Sequence, residues 1–535
     1  RTLSFVLVAV LSGATALAGS PAPPWFTWAT VVNNNDKMPG APLDRTFNSY
    51  NQPSINVRGL VVIRARSIGG GGEPATHGIY TRDMSDPASP GPIVKILDRS
   101  SVVPEPNNQA SKFIETPSFP RIDMTSDTIA TRGNHQPVWA PESGDEKVGT
   151  TGIYTNPFGD LITGAAKLGA VDGFDFYAVP GVQPLTMFDV FPGAPAVTDG
   201  KTTVFKGNYT VAGAGKTGVF YRELKTDNED PHDAYGGSYP VRLIANNAKT
   251  LIPGTGKVFG STSPPSAAGG QVVFAGFDDE KTPTLGGIYR AALPESDDPQ
   301  EGPLKLTPLV SIGERVPGES VFTTFNQLGE GGAFDGRYVG FWGAWGEETR
   351  TVRLYCPTEG NKDRIAYCNQ KLVCADTGET ERDPNSTCDD TGCYQDMQVP
   401  VHQGIFVHDS VRGGTKTVAK TGARFDEFVF WNYSGKTPCV GSGGHGQEGA
   451  EDDGEPARWR SSAFVAVSGL STAFKAATGG VVGIYFGQRP GQAVWTVLDT
   501  TTDGPSLDPE APAGSTITEL GLEREGLRGD WLAVS

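Results

Sequence analysis

The sequence predicts an all-β protein in which small antiparallel sheets repeat along the chain, and two observations support this prediction. A glycine followed by an apolar residue and then an aromatic one recurs six times. Past residue 20, no long segment has the 3.6-residue period of an amphipathic helix. The six copies are Gly78-Ile79-Tyr80, Gly152-Ile153-Tyr154, Gly218-Val219-Phe220, Gly287-Ile288-Tyr289, Gly404-Ile405-Phe406 and Gly483-Ile484-Tyr485.

The third copy indicates how many strands one unit contains. Residues 195–197 and 202–206 are strand-like and flank a turn at Asp199-Gly200, and 218–222 and 241–244 follow as two further strands. Each unit therefore contains four short strands. Repeated β units bury their apolar faces by stacking, and closing the stack into a ring leaves no open end. The sequence accordingly predicts a seven-bladed β-propeller of four-stranded antiparallel blades.

The seventh unit is divided between the two ends of the chain. Residues 517–520 and 531–534 supply its first two strands, and 28–32 supply the last. We expect N- and C-terminal strands to share this blade and so close the ring, because this hides sheet edges that would otherwise aggregate. Its third strand has no Gly-Ile-Tyr equivalent. The apolar stretch 3–11 fills that place if the mature chain retains it.

A phenylalanine stands at the entry of most units. Sheets packed face to face around a ring need large side chains between them, so we expect this residue to pack in the core with the aromatic of the glycine motif. The predicted entry residues are Phe47, Phe119, Phe188, Phe259, Phe322 and Phe425.

The first 18 residues are typical of a secretory signal peptide. An arginine, an apolar run and the ending Ala16-Leu17-Ala18 match its three regions, and the run is too short to span a bilayer. The sequence therefore predicts a signal peptide at 1–18, a single propeller domain at 19–535 and a secreted, extracellular protein. Export also makes the sequons at Asn208, Asn385 and Asn432 candidate glycosylation sites.

The net charge limits the kinds of partner. The chain has 44 Lys and Arg against 61 Asp and Glu, which gives a formal charge of −17. A surface of this sign repels phosphate backbones and anionic lipids. We therefore expect no nucleic-acid partner and no membrane span, and consider a protein partner, a glycan partner and self-assembly instead.

The six cysteines mark two insertions in the repeat. Five lie in a polar insertion at 356–401 of the fifth unit, and the sixth lies in a Gly-rich, acidic insertion at 432–458 of the sixth unit. An even number of cysteines in an exported chain predicts disulfides, with fifteen pairings open and a bridge between the two insertions expected. The six residues are Cys356, Cys368, Cys374, Cys388, Cys393 and Cys439. The insertions should form one stapled protrusion, and loops on a rigid scaffold often carry binding sites.

The repeat resembles a known family. Pro53-Ser54-Ile55, the pair Asn56 and Gly59, an apolar strand and Gly78-Ile79-Tyr80 occur in the order found in exported bacterial tandem-repeat proteins with an NxxGxxAF pattern. The segment 199–205 is similar to the related TolB-like propeller repeat. The resemblance spans most of 28–535 and implies a β-propeller. It implies no reaction and carries over no catalytic residue.

Acidic loops are the candidates for metal binding, because calcium prefers carboxylate oxygens. One loop contains Asp227, Asp230 and Asp233, and another contains Asp278 and Asp279. Structural calcium is the one cofactor considered. No G-x-S-x-G, Walker, HExxH or Rossmann motif occurs, so we assign no catalytic residue.

Two functions agree with these features. The first is a secreted, non-enzymatic propeller that binds a partner or assembles through its loops and the stapled protrusion. The alternative is an extracellular propeller enzyme, a glycan lyase or hydrolase, with its site at the mouth of the central channel. Arginine, histidine, tyrosine and carboxylate groups converging in an axial pocket would favour the enzyme.

Overall fold

A computed structural model describes residues 5–12, 25–41, 44–69, 75–105, 111–135, 138–139, 147–148, 151–224, 239–294, 303–375, 377–422, 424–439 and 456–535. These residues confirm the all-β prediction. Within them the only α-helix is Lys362–Cys368, and two 3₁₀ turns cover Asp175–Tyr177 and Gly504–Ser506.

Seven larger sheets, numbered here 1 to 7, follow one another along the described chain. Their strands are Ser49–Tyr50, Ser54–Ile55, Leu60–Arg66, His77–Asp83 and Val94–Asp98 in sheet 1; Phe113–Glu115, Arg121–Ile122, Ile129–His135, Thr151–Phe158 and Asp160–Ala166 in sheet 2; Ala196–Thr198, Thr202–Val211, Ala214–Glu223 and Arg242–Asn246 in sheet 3; Ser261–Thr262, Ser266–Ala268, Gln271–Phe277, Gly286–Ala292 and Thr307–Ser311 in sheet 4; Phe325–Leu328, Ala333–Phe334, Tyr338–Tyr355, Thr387–Cys388, Cys393–Asp409 and Thr415–Lys420 in sheet 5; Val465–Ser468, Ser471–Thr478, Val481–Gly487 and Val494–Asp499 in sheet 6; and Leu527–Arg528, Trp531–Val534, Phe5–Ser12 and Trp25–Asn33 in sheet 7.

Three two-stranded sheets accompany them in the described residues. They pair Val138–Trp139 with Lys147–Val148, Leu372–Val373 with Thr380–Glu381, and Val429–Ser434 with Arg458–Ala463. Four of the larger sheets have more than four strands. In sheets 1, 2, 4 and 5 the first strand is broken into two short pieces, and sheet 5 also pairs with one strand of its insertion.

Neighbouring sheets contact each other through their innermost strands. One strand of each sheet contacts its counterpart in the next sheet, and Leu527–Arg528 of sheet 7 contacts Ser54–Ile55 of sheet 1. These innermost strands are, in sheet order, Ser54–Ile55, Arg121–Ile122, Ala196–Thr198, Ser266–Ala268, Ala333–Phe334, Val465–Ser468 and Leu527–Arg528. This cyclic order of small antiparallel sheets is the arrangement of a β-propeller. Apolar side chains fill the space between neighbouring sheets, as in the cluster that joins sheet 4 to sheet 5 through Val310 and Phe341.

In sheets 1 and 2 the turn after the innermost strand is hydrogen-bonded to the next sheet. The side-chain oxygen of Asn56 accepts hydrogen bonds from the backbone N–H groups of Arg58 and Leu60, and its amide donates to the Ser126 carbonyl in sheet 2. Asp123 in turn accepts from the Gly200 N–H of sheet 3 at 3.2 Å. The asparagine of the predicted repeat pattern thus shapes its own turn and fixes the neighbouring sheet.

A T-shaped aromatic pair recurs in the core of six sheets, with ring centroids 4.9–5.3 Å apart. One partner is always the aromatic of the Gly-Ile-Tyr motif. The pairs are Phe47–Tyr80, Phe113–Tyr154, Phe188–Phe220, Phe259–Tyr289, Phe325–Phe406 and Phe425–Tyr485. Such pairs add about 0.5–1.5 kcal/mol to the burial of each ring.

The structure corrects two of the predicted entry residues. Phe113 and Phe325 occupy the core, whereas Phe119 is half-buried and Phe322 is 91% exposed. In both sheets the core phenylalanine packs over a glycine of the second strand, which leaves room for its ring. A Cβ on Gly133 would lie 2.5 Å from the Phe113 ring, and a Cβ on Gly343 would lie 2.8 Å from the Phe325 ring.

The motif glycine is required because the third and fourth strands approach each other closely there. A Cβ on Gly287 would lie 2.0 Å from the carbonyl oxygen of Val310, and this backbone atom cannot move aside cheaply. We expect Gly287→Ala to lower the free energy of unfolding by about 1–3 kcal/mol, as overpacking does. Denaturant titration measures this change. Gly215→Ala is the control, because no atom of the described residues lies within 4 Å of a Cβ at that position. An equal loss in both variants would contradict the steric explanation.

Candidate functional site

The propeller axis carries a cluster of charged side chains, here called the axial cluster: Arg121, Glu523, Arg524, Glu525 and Arg528. Arg121 begins the innermost strand of sheet 2, directly after Pro120. The other four residues lie in the segment that enters sheet 7 and in its innermost strand. The ring therefore brings together residues separated by 402 positions in the sequence.

The axial cluster is buried and internally paired. Arg121 Nη2 lies 2.9 Å from Glu523 Oε1, and Arg121 Nη1 lies 3.9 Å from Glu525 Oε1. Arg524 Nε is 3.5 Å from the same Glu523 oxygen. The side chain of Arg121 is 1% exposed and that of Glu525 is 2% exposed. Ion pairs thus fill the space between the innermost strands at the axial cluster.

Each guanidinium also binds backbone carbonyls of other sheets. Arg121 donates to the Pro265 carbonyl at 2.7 Å, and Arg524 donates to the Pro264 carbonyl at 3.2 Å. Arg528 donates to the carbonyls of Val467 and Phe334, both at 3.1 Å. The cluster therefore connects sheets 2, 4, 5, 6 and 7. Donors used in this way are not free to stabilise a reacting group.

The electrostatics of the cluster follow from its burial. Burial raises the pKa of Glu525, and the nearby Arg121 and Arg528 oppose that rise. Burial lowers the pKa of Arg524 to about 10. Glu525 Oε2 has no hydrogen-bond partner among the described residues. A carboxyl with a raised pKa and a free oxygen is a feature of general acids, and it is the one feature here that favours catalysis.

A groove of about 600 Å³ lies away from the axis, between sheets 4 and 5. Its walls include Glu314, Pro317, His408 and Thr415. Burial raises the pKa of Glu314 and lowers that of His408, whose Nδ1 lies 3.0 Å from the Thr415 hydroxyl. The groove could hold a small polar molecule, but the residues of the axial cluster do not line it.

The second site candidate is the stapled protrusion, formed by residues 346–401 of sheet 5 and the hairpin Val429–Ser434 with Arg458–Ala463. Strands Tyr338–Tyr355 and Cys393–Asp409 remain paired beyond the other strands of sheet 5, from Thr349 opposite Pro400 to Tyr355 opposite Tyr394. Most of the second insertion, 440–455, lies outside the described residues.

Three disulfides staple the protrusion. Cys356–Cys368 and Cys388–Cys393 close loops within the first insertion. Cys374–Cys439 joins the two insertions across 65 residues of sequence. The sequence left fifteen pairings open, and this is the set that the folded chain brings within bonding distance.

A buried carboxylate joins the same two insertions. Asp383 is 1% exposed and accepts hydrogen bonds from Gln395 Nε2 at 2.7 Å and from the Tyr433 hydroxyl at 2.6 Å. Burial, and then the hydrogen bond to Asp383, raises the pKa of Tyr433 well above its usual range. A small apolar cluster containing Cys356, Cys368 and Tyr433 lies beside it. The protrusion therefore has a core of its own.

One face of the protruding ribbon is exposed, polar and aromatic. Thr351, Arg353 and Tyr355 lie directly opposite Gln398, Asp396 and Tyr394. The Arg353 guanidinium sits 3.8 Å above the Tyr394 ring and makes two 2.9 Å hydrogen bonds to Asp396. Aromatic and arginine side chains held rigidly in this way are typical of binding surfaces.

The bridge Cys374–Cys439 should stabilise the protrusion more than the propeller. Replacing both residues by serine removes a 65-residue loop constraint, which is worth about 4 kcal/mol in the chain-entropy model. We expect faster amide exchange in Lys362–Cys368 and Val429–Ser434 and unchanged exchange in sheets 1 to 3. The control is the double serine variant of Cys388 and Cys393, which are only five residues apart. Uniformly faster exchange across all sheets would contradict this prediction.

The predicted calcium ligands Asp278 and Asp279 are engaged in turns. Asp278 accepts hydrogen bonds from the backbone N–H groups of Thr284 and Leu285, and Asp279 accepts from those of Lys281 and Thr282. Asp227, Asp230 and Asp233 lie outside the described residues. In the described part of the chain, no three His, Cys, Asp or Glu side chains are grouped as metal ligands. Calcium binding stays a prediction.

The three sequons differ in accessibility. Asn385 and Asn432 are exposed, and both lie on the stapled protrusion. Asn208 lies within the strand Thr202–Val211, where its backbone N–H bonds to Val190 and its carbonyl accepts from Asp189. Glycosylation at these sites stays a prediction, with Asn208 the least accessible acceptor.

The axial cluster was not found from the sequence. Arg121 and Glu523 belong to no motif, and they meet although 402 positions separate them in the sequence. The exposed ribbon face was also missed, although alternation of Thr351, Arg353 and Tyr355 is the period-2 pattern of a strand with one solvated face.

Comparison with known proteins does not assign the chain to a family. No family model matches it, and no curated protein matches it. The NxxGxxAF and TolB-like resemblance therefore stays a prediction. No helix in the described ranges is long and apolar enough to cross a bilayer.

Solved structures give weak likenesses. The β-propeller domain of the Trilobed protease from Pyrococcus furiosus has 8% identity and a TM-score of 0.30, covering 84% of this chain and 83% of that one. Prolyl oligopeptidase B from Galerina marginata has 10% identity and a TM-score of 0.29, covering 84% of this chain and 50% of that one. The periplasmic gluconolactonase PpgL from Pseudomonas aeruginosa has 13% identity and a TM-score of 0.24, covering 84% of this chain and 95% of that one.

Proposed function

We propose that this protein is a secreted, seven-bladed β-propeller that acts without catalysis, as an extracellular binding or assembly protein. The stapled protrusion is the proposed contact surface. Three disulfides support an extracellular location, because such bonds persist in oxidising compartments. The partner is a protein, a glycan or a second copy of the chain.

The observation that carries this proposal is the rigid exposed face of the protruding ribbon. Tyr355 is 41% exposed and stands beside Tyr394, with ring centroids 5.7 Å apart. The disulfides and the Asp383 hydrogen bonds fix the ribbon before any partner arrives. A pre-ordered surface binds with a smaller entropic cost than a mobile loop.

The axial cluster supports the same proposal. Catalysis at a channel mouth needs a cavity lined by groups that can reach a substrate. Arg121 and Glu525 are almost completely buried, and the guanidinium groups hold backbone carbonyls of other sheets. Their arrangement fits a structural role at the axis.

The second candidate function is that of an extracellular glycan lyase or hydrolase. It rests on the raised pKa and the free oxygen of Glu525. For this role the axial cluster would have to open. Glu525→Gln should then abolish turnover of polysaccharides while leaving binding intact.

The binding proposal is tested with two matched variants. Tyr355→Ser combined with Tyr394→Ser removes the aromatic pair, and Val411→Ser changes a 65% exposed residue in the turn between Cys393–Asp409 and Thr415–Lys420, away from the ribbon face. Sedimentation velocity over a range of concentrations detects self-association, and binding to immobilised extracellular glycans and proteins detects the other partners. We expect the tyrosine variant to lose at least tenfold in affinity and the control to match the original chain. Full binding by the tyrosine variant, or turnover that depends on Glu525, would overturn the proposal.

A further inference from the structure

The segment with the character of a signal peptide forms a strand of the propeller. Residues Phe5–Ser12 lie in sheet 7 between Trp531–Val534 and Trp25–Asn33. Val8 is opposite Ala533 on one side and opposite Ala29 on the other, and both pairings are antiparallel. The segment therefore supplies the third strand that the glycine motif does not provide.

A repeated irregularity identifies the position of this strand in the repeat. In sheets 1 to 6 the pairing of third and fourth strands shifts register between the Ile or Val of the glycine motif and the residue after it. In sheet 7 the same shift falls between Val6 and Leu7. Val6 and Leu7 thus occupy the positions held by Ile79 and Tyr80 in sheet 1.

The side chains of this strand fill both neighbouring cores. Val6 and Val8 are fully buried against sheet 1, in the cluster that contains Phe47. Leu7 is 1% exposed and packs on the other side with Phe486 of sheet 6. A chain without these residues would leave an apolar slot between sheets 6 and 1.

Removal of Phe5–Ser12 would also disrupt the strand pairing of sheet 7. Trp25–Asn33 pairs only with Phe5–Ser12 among the described strands, and Trp531–Val534 would become an unprotected edge. Unpaired backbone groups at such an edge are costly and promote aggregation. We infer that residues 5–12 are retained in the mature, exported protein as the strand that latches the ring, and that cleavage after Ala18 does not occur. This inference is independent of the proposed binding function.

The direct experiment is intact-mass measurement and N-terminal sequencing of the exported protein, produced with its natural upstream sequence. We expect the mature chain to contain residues 5–12. A mature protein that begins at Gly19 and melts cooperatively would overturn the inference.

A substitution in the strand provides a second test of whether the exported protein retains residues 5–12. Leu7→Ala should lower the melting temperature by about 3 °C, because a buried leucine is lost from a large domain. Val57→Ala, at a residue that is 39% exposed, is the control and should leave the melting temperature unchanged. If the segment is removed during export, Leu7→Ala and the original chain give the same mass and the same melting temperature.

Discussion

Arg121→Met is expected to lower the free energy of unfolding by about 3–5 kcal/mol, because it removes an ion-pair partner from two buried carboxylates. Glu523 and Glu525 both lie beside this guanidinium, and the Pro265 carbonyl of sheet 4 loses its donor as well. Methionine replaces the unbranched apolar stem of arginine, so the packing around that stem is largely kept. Denaturant titration at neutral pH measures the loss.

The pH dependence of this variant identifies the cause of the loss. Burial holds the pKa of Glu525 above its unfolded-state value, and Arg121 limits that rise. A carboxyl with a raised folded-state pKa opposes folding above its unfolded-state pKa, and this cost falls as the pH drops through the folded-state pKa. Without Arg121 the pKa of Glu525 is higher still, so the deficit should shrink as the solution is acidified.

The control for Arg121 is an exposed ion pair. Arg58 lies 2.6 Å from Asp127, with both side chains more than half exposed. Arg58→Met should change the free energy of unfolding by less than about 1 kcal/mol. A loss at Arg121 no larger than this, or one that stays constant from neutral to acid pH, would show that the axial cluster does not hold the ring together.

Phe325→Ala is the second large effect that we expect. The ring is 1% exposed and lies edge-on to Phe406 at 5.0 Å, so its removal leaves a cavity between sheets 4 and 5. Phenylalanine to alanine changes in cores cost about 3–5 kcal/mol. Thermal or denaturant unfolding measures the change.

Phe322→Ala is a matched control only three residues away. Its ring is 91% exposed, so the substitution should change the free energy of unfolding by less than about 0.5 kcal/mol. The comparison also tests whether Phe325, and not Phe322 as the sequence predicted, is the core aromatic at the entry of sheet 5. If Phe322→Ala proved the more damaging change, the assignment of the core aromatic in sheet 5 would be wrong.

The third strands were the most predictable part of the fold. Gly78-Ile79-Tyr80 and its five equivalents combine strand propensity, a close approach that leaves little or no room for a Cβ, and an aromatic that packs in the core. These requirements act within a few residues, so each copy shows them in the sequence.

The entry aromatics were less predictable, because their position depends on a contact with another strand. Phe113 and Phe325 are selected by Gly133 and Gly343 beneath them, which lie about 20 residues further along the chain. A nearby phenylalanine, such as Phe322, is equally plausible until that contact is known. The spacing of residues within one strand does not indicate which phenylalanine packs on a glycine of the neighbouring strand.

The candidate sites could not be predicted for a related reason. Arg121 and Glu523 meet only when the ring closes, and Asp383 meets Tyr433 only when the two insertions dock. No local pattern marks any of these residues. The cysteines did indicate that the insertions are joined, because Cys439 stands apart from the other five.

Closure of the ring through sheet 7 is the claim on which the account depends, and disulfide trapping tests it most directly. All six natural cysteines are paired, so new cysteines can be introduced without competing thiols. Val8→Cys with Ala533→Cys places two thiols directly opposite each other, whereas Ala29→Cys with Ala533→Cys places them two strands apart, at roughly 10 Å. We predict an intramolecular disulfide in the first pair and none in the second, measured by mass spectrometry of the monomer after mild oxidation. Free thiols at Val8→Cys and Ala533→Cys, or a bond formed only between separate chains, would contradict the closed ring.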